Sequence, residues 1–487
     1  MAGTELTLQN FLISVTLLVL AWRLLKATAK HPFDNLPGPP SPSFLYGNIN
    51  QIWDPKGWAF HKHIADTYGP VMKYSGLANG QLWVSDPTAL QYIIVKEQDI
   101  YEETDMFIQM FFGMGLLGTL GERHRKQRKM LNPAFSSRHL QEMVPTFYNV
   151  SYKNSPFDAD ITKLRDSILA RVNAGPQEID ILHWLGRTAV ELIGQSGLGY
   201  SFDNLDDGPA HPYSLAIKNF IPTIFRLQSL LLLLPYVSEL GPAALRRMVL
   251  KFVPSANVQS VRRMVDLMDE TSREVLLNQM GDVDVSEKVG GGKDIMGILL
   301  KANTEAAEED RLTDAEVLGQ VSTLVFAATD TTSSALARMF HLLAQHPDVQ
   351  DRLRNEILAA RHNDGDLEYK QLDGLQYLDA VIRETLRLYA PAPLVDRVAR
   401  KDTVLPLSRP IAGLDGTDIH EIAVPKGTKL TIAIMHANCD PEIWGADAQE
   451  WKPERWLGQL LENVSNTRFP GVYSNMMTFL GGSRACM

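Results

Sequence analysis

Phe479-Leu-Gly-Gly-Ser-Arg-Ala-Cys-Met487 is the stretch on which the reading of this sequence turns. Two glycines and a serine make a tight loop, and Arg484 precedes Cys486 by two positions. A reactive or metal-binding cysteine works as the thiolate, which needs compensating positive charge and N–H donors nearby. A cation beside a cysteine in a glycine-rich turn supplies both, and a metal is a further source of the charge. The other cysteine is Cys439, and so few cysteines in 487 residues point to a reducing compartment rather than a disulfide framework.

Moving outward, Leu378, Val381, Ile382, Thr385 and Leu388 recur at helical spacing until Pro391 stops the run. Glu384 and Arg387 fall i, i+3 on this helix and can pair. Arg455, in Trp451-Lys-Pro-Glu-Arg-Trp456, is placed to join them, giving one carboxylate between two guanidiniums. Further upstream, Thr313-Asp-Ala-Glu316 reads as a capping box opening a helix that runs to about Gln345, before Pro347. Its first half is apolar almost all round, which means burial. At its centre sits Ala327-Ala-Thr-Asp-Thr-Thr-Ser-Ser-Ala335. Two readings of that polar centre stand side by side: a bent helix whose hydroxyls bond its own backbone, or a ligand groove with an acid–hydroxyl pair that handles protons.

The rest of the body predicts a mostly helical protein with minor sheets. Residues 43–100 read as a helix and a small sheet, 120–390 mainly as helices, and 395–435 as strands that include Lys429–Ile434. Gly281–Asp294 reads as a loop. Ile217–Leu234 is either a core helix or a segment that dips into a bilayer.

At the N-terminus, Phe11–Trp22 carries no charge, and with its flanks it approaches the length of a bilayer span. Arg23, Lys26 and Lys30 follow it, which places the body on the cytosolic side. A cleaved signal peptide would carry its charge before the apolar run. Residues 1–30 are therefore expected to anchor the chain. Residues 31–42, with Leu36-Pro-Gly-Pro-Pro-Ser-Pro42, form a stiff hinge, and 43–487 the working domain. The formal net charge of -10 argues against nucleic acid as a partner.

Taken together the motifs resemble the cytochrome P450 superfamily across essentially the whole chain. The tail is similar to its haem signature F-x-x-G-x-R-x-C, Glu384 and Arg387 match E-x-x-R, and Pro453-Glu-Arg455 matches P-E-R. Ala327 to Thr332 resembles A-G-x-D-T-T, and the anchor with its hinge looks like microsomal, softly fungal, members. The resemblance implies a mainly α fold with minor β-sheets, haem b (iron protoporphyrin IX) as cofactor, and Cys486 as the thiolate ligand to iron. It implies that Asp330 and Thr331 relay protons to dioxygen. Ala327 and Ala328 would lie against the haem face, and Arg484, Arg128, His124 and Arg397 would contact propionates. Glu384, Arg387 and Arg455 would be structural.

The sequence departs from the pattern at His124, where the family has tryptophan, and at Ala328, where it has glycine. It ends at Met487, where the family continues into a helix and a hairpin, so the fold is expected to lack both and to hold haem poorly.

The implied activity is insertion of one oxygen atom into a lipophilic small molecule, in fungal secondary metabolism or xenobiotic oxidation. Electrons would come from NADPH through a flavin reductase, at the endoplasmic reticulum membrane. Met106–Met114 and Pro391–Val395 would line the pocket, and Arg123, Arg125, Lys126 and Lys129 either dock the reductase or form a solvated face. The alternatives are a peroxide-rearranging enzyme of the same fold, a catalytically impaired or inactive truncated member, and a membrane-anchored binding protein without catalysis.

Overall fold

The computed structural model describes residues 31–487 apart from 44–45, 77–79, 105–112, 153–163, 204, 206–207, 228–229, 231–236, 238–239, 281–293, 362–365 and 474. The expected anchor (1–30), most of the expected loop at Gly281–Asp294 and most of the pocket segment Met106–Met114 lie outside these residues.

In chain order the elements used below are α1 Trp58–Tyr68, β1 Val71–Ser75, β2 Gly80–Val84, α2 Pro87–Gln91, β3 Tyr101–Glu102, α3 Gly121–Leu131, α4 Ser137–Tyr152, α5 Ile181–Ile193, α6 Pro212–Phe225, α7 Ala243–Leu250, α8 Ala256–Met280 and α9 Ile295–Glu305. They continue with α10 Asp314–Gln345, α11 Pro347–Ala360, α12 Gln376–Leu388, β4 Leu394–Ala399, β5 Thr403–Ala412, β6 Asp418–Val424 and β7 Lys429–Ala433. The chain is thus mainly helical with two small sheets, as the sequence predicts. The described residues fall into two compact units, one within Met1–Tyr101 and Arg397–Ile432, the other within Glu102–Asp396 and Ala433–Met487.

The first unit is built on a sheet of order β1-β2-β7-β4-β3, with the β5–β6 hairpin as a second sheet. β2 pairs antiparallel with β1 and parallel with β7. Within it the buried Tyr74 hydroxyl bonds Thr431 Oγ1 at 2.8 Å. Asp86 caps α2 through the Ala89 amide at 2.9 Å and also accepts from the Ser408 amide at 3.0 Å. The proline-rich hinge is tied down here rather than free: the Lys73 amide donates to the Pro37 carbonyl at 2.9 Å, and Phe33 and Leu36 are buried.

The second unit is helical. Its main core joins α5, α6, α8, α9 and α10 through Val190, Phe220, Met268, Met296, Val321 and Val325. A smaller cluster, Met339, Leu343, Val349, Leu353, Tyr377 and Val381, fastens α11 and α12 to the far end of α10. The capping box that opens α10 is present as read, with Thr313 and Glu316 each satisfying the other's backbone N–H. The segment from Ile217 resolves toward the core reading where it is described, because Ile217, Phe220 and Ile224 on α6 are buried. Exposed apolar surface lies downstream instead. α7 buries none of its residues, and Leu245, Met248, Val249 and Leu250 on it, with Leu240 and Phe252 beside it, are exposed.

Candidate active site

Everything in this subsection except Arg397 belongs to the second unit. The C-terminal loop is held by backbone bonds: Val472 N to Phe479 O at 2.8 Å, Gly481 N to Pro470 O at 2.7 Å, and Cys486 N to Leu480 O at 3.2 Å. Gly482 takes φ +72°, a left-handed conformation that a side chain would strain. This turn leaves Cys486 exposed. Its Sγ lies 3.8 Å from the Met487 carbonyl. The protein mass around the thiol raises its pKa, and the Arg128 guanidinium pulls it back. Met487 packs on the same core as Val321 and Val325, which brings the loop and the first half of α10 to one cluster.

α3 presents His124 and Arg128 one turn apart. Arg128 Nη1 donates to the Ala485 carbonyl at 2.6 Å, next to Cys486. Only that one of its five N–H groups is engaged among the described residues. Burial first, then Arg484 and Arg128, lower His124 to about 4, so the imidazole is neutral at physiological pH. A neutral ring donates through one nitrogen only.

Arg484 is held within the chain. Its Nε donates to Glu103 Oε2 at 2.9 Å and its Nη2 bonds the same oxygen. Its Nη1 donates to the Thr119 carbonyl at 2.9 Å and the Leu116 carbonyl at 3.4 Å. Four of its five N–H groups are therefore spent inside the chain. Glu103 was not picked out in the sequence, and nothing local marks it, since it lies 381 positions away.

On α10, Val321, Thr323, Leu324 and Val325 are buried, yet one turn on Ala327, Asp330 and Thr331 are exposed. Their i, i+3, i+4 spacing puts them on one open face that begins where the buried first half of the helix ends. Thr331 Oγ1 donates to the Ala327 carbonyl at 2.7 Å and Ser333 Oγ to Thr329 at 2.8 Å, the self-satisfied pattern of an ordinary helix. Asp330 is different. Its carboxyl has no hydrogen-bond or ion-pair partner among the described residues, and desolvation raises its pKa. Ala328 is half-buried beside this face.

Glu384, Arg387 and Arg455 do come together. Arg387 and Glu384 are wholly buried, not the surface pair that i, i+3 spacing usually gives. Arg387 donates twice to Glu384, at 2.8 Å each, and to the carbonyls of Asn438 (2.9 Å), Ala448 (2.7 Å) and Glu450 (3.3 Å), which uses all five N–H groups. Arg455 Nε reaches Glu384 at 3.4 Å, and the Lys452 amide and Trp456 Nε1 add bonds at 3.1 and 2.9 Å. Burial pushes the Glu384 carboxyl up, but Arg387, the Lys452 amide and Trp456 outweigh it and hold it below the usual range.

The basic face of α3 is mostly used internally. Arg123 pairs with Glu316 at 3.0 Å, Arg125 with Glu122, and Lys126 donates to the carbonyls of Glu309 and Arg311. Among the described residues Lys129 has no such partner, and Arg123 and Arg125 keep most of their side chains exposed despite their pairs. Arg397 lies buried on β4 in the first unit.

These residues fit a haem. An exposed thiol beside a cation suits an anionic ligand to iron. Arg128, with four uncommitted N–H groups, and His124 suit carboxylates. The open, small-residue face of α10 suits a flat apolar group.

Residues 37–487 match the family described as Cytochrome P450. The chain is 47% identical to cytochrome P450 monooxygenase 91 of Postia placenta, over 99% of this chain and 88% of that protein. It is 48% identical to cytochrome P450 monooxygenase 212 of the same fungus, over 93% of this chain and 83% of the relative. It is also 42% identical to a ganoderic acid synthetase of Ganoderma lucidum, over 94% of this chain and 84% of that protein.

Proposed function

The chain belongs to the cytochrome P450 family and is a haem monooxygenase, and on that premise we propose that it oxygenates a lipophilic small molecule with electrons passed from NADPH through a flavin reductase. The observation that carries the proposal is the opening of Ala327, Asp330 and Thr331 directly after the buried run Thr323–Val325 of α10, in the same unit as an exposed Cys486 thiol. Haem, when bound, supplies the redox chemistry that activates dioxygen, tuned by its thiolate ligand.

The chain's own residues do the rest. Cys486 gives the thiolate, and Arg128 sits close enough to stabilise its charge. Arg128 and the neutral His124 hold the cofactor's carboxylates. Ala327 and Ala328, with their small side chains, would leave room for the cofactor and a substrate. Asp330, with its pKa raised because protein packed around its carboxyl disfavours the charge, retains its proton to higher pH than a freely solvated aspartate, which suits a proton donor. The Thr331 hydroxyl points its hydrogen at the Ala327 carbonyl, which leaves its lone pairs to accept a hydrogen bond from protonated Asp330 or from water.

The synthetase among the relatives favours a biosynthetic substrate over a xenobiotic one. For localisation we propose the endoplasmic reticulum membrane with the catalytic body in the cytosol. The uncharged Phe11–Trp22 run and its trailing cations support this. So does α7, whose exposed Leu245, Met248, Val249 and Leu250 stand beside Arg246, Arg247 and Lys251, the mixture that suits an anionic lipid surface. No helix among the described residues is long and apolar enough to cross a membrane.

The reading is tested by purifying the protein and recording the carbon monoxide difference spectrum, then oxygen uptake with NADPH and reductase. A thiolate-type band with reductase-dependent uptake is expected. Haem-free protein, or a product formed equally well without NADPH, would overturn it.

A further inference from the structure

We infer that Gln127 and Gln320 are positioning residues for Arg484: their paired amides strap Gly115–Thr119 to α10, and the carbonyls of that strap hold the guanidinium. The inference rests on the haem reading and deepens it.

Gln127 on α3 and Gln320 on α10 are both wholly buried. A buried amide costs free energy unless its donors and acceptor are satisfied, and here all are. Gln320 Nε2 donates to Gln127 Oε1 at 3.0 Å and to the Glu316 carbonyl at 3.2 Å. Its Oε1 accepts the Leu116 amide at 3.0 Å. Gln127 Nε2 donates to the Met114 carbonyl at 2.8 Å and to Glu316 Oε1 at 3.2 Å. Its Oε1 also accepts the Thr119 hydroxyl at 3.1 Å. Three groups of one short segment, Met114 O, Leu116 N and Thr119 Oγ1, are thereby pinned to two helices.

A second observation is independent of the amides. The backbone at Gly115 lies against Gly319. A Cβ on Gly115 would overlap the Gly319 carbonyl and the Thr323 hydroxyl, and a Cβ on Gly319 would overlap the Gly115 amide. The strap therefore lies closer to α10 than any side chain at either position allows.

The strap then meets the site. Arg484 Nη1 donates to its Thr119 and Leu116 carbonyls, while Glu103 takes the other edge of the guanidinium. Thr119 is tied at both ends: its hydroxyl hydrogen is shared between Gln127 Oε1 and the Gly115 carbonyl at 3.2 Å, and its carbonyl accepts from Arg484. A fully satisfied buried network of this kind has essentially one arrangement, so it fixes where the cation of the Cys486 loop stands. An apolar pair would fill the same space without fixing those carbonyls.

The test uses the haem-loaded protein and three single variants: Gln320→Met, which keeps volume and removes the amide; Gly319→Ala, which lifts the strap without touching it; and Arg484→Lys. Haem loss to a scavenging apoprotein is followed by Soret absorbance, and amide exchange of residues 113–120 by mass spectrometry. Gln320→Met and Gly319→Ala should each speed strap exchange and speed haem loss roughly tenfold, the effect of one charge-assisted hydrogen bond. Adding Gln320→Met to Arg484→Lys should cost little more than Arg484→Lys alone, because both act through one group. Should Gln320→Met not fold, Thr119→Val removes one tie and is read in the same way. Unchanged haem loss in the strap variants, or effects that simply multiply in the double variant, would overturn the inference while leaving the haem reading intact. Wild-type protein that carries no haem would overturn both.

Discussion

Glu384→Gln keeps shape and volume and removes one charge from a site that water does not reach. The carboxylate accepts five bonds in two groups. Oε1 takes Arg387 Nη2 (2.8 Å), the Lys452 amide (3.1 Å) and Arg455 Nε (3.4 Å). Oε2 takes Arg387 Nε and Trp456 Nε1, at 2.8 and 2.9 Å. A glutamine that puts its oxygen on the three-bond side turns its NH2 toward two donors, and both lose their acceptor. Each stranded buried donor costs about 1–3 kcal/mol, and Arg387 becomes a buried cation facing a neutral amide. Removing one member of a buried pair costs about 3–5 kcal/mol, so the two routes agree on about 4 kcal/mol. That is a large share of the roughly 5–15 kcal/mol that keeps a domain folded. Guanidinium denaturation followed by tryptophan fluorescence reads it directly, since Trp444, Trp451 and Trp456 flank the pair. The pH dependence has a definite sign. The folded pKa of Glu384 lies below its ordinary value of 4.5, so its stabilisation is complete above that value and is lost as pH falls through the folded pKa. The wild-type advantage over Glu384→Gln should therefore be full at neutral pH and shrink in acid. A deficit under about 1 kcal/mol, or one that does not change with pH, would refute the argument.

Cys486→Ala should abolish the thiolate-type carbon monoxide band while leaving the fold intact, because the side chain is exposed; a normal band rules out Cys486 as the ligand. Thr331→Val keeps the side-chain shape but loses the hydroxyl that bonds Ala327, and peroxide released per NADPH should rise severalfold, with Thr331→Ser close to wild type. Asp330→Asn should flatten the pH profile of coupling, which in the wild type declines as pH rises through the raised Asp330 pKa; parallel profiles count against the proton-donor role. Replacing Met248 and Phe252 together by glutamate, both more than half exposed at 52% and 79%, should weaken binding to anionic vesicles without lowering stability. Unchanged vesicle binding removes α7 from the membrane surface.

What the sequence discloses depends on whether the physics is local. α10 was legible end to end because a capping box opens it and a proline follows it, and both signals act within one turn. The same holds for α12, where period and Pro391 mark the run. The Glu384–Arg387 spacing was legible, but its burial was not. An i, i+3 pair looks the same on a surface, and only Arg455, with the Asn438, Ala448 and Glu450 carbonyls delivered by the chain's return, makes it a core element. Apolar runs misdirect for a related reason. Within the apolar-rich region 217–252, Phe220 is buried and Phe252 is open. Hydrophobicity states a preference and says nothing of whether a neighbour is there to meet it.

Arg484 shows which part of a site a motif carries and which part it leaves out. The pattern correctly marks a cation two residues before the cysteine, and a cation stands there. How its five donors are shared is decided by Glu103 and by a strap held through two glutamines that sit 193 positions apart. No window on the sequence contains that arrangement, because each partner is an unremarkable polar residue in its own surroundings. With Arg484 largely spent on Glu103, the uncommitted guanidinium beside the thiol is that of Arg128. Substitution at Arg128 should therefore weaken haem retention by lost contact with the cofactor, and substitution at Arg484 by loosening the loop that carries Cys486. Only the Arg484 effect should be mimicked by Gln320→Met.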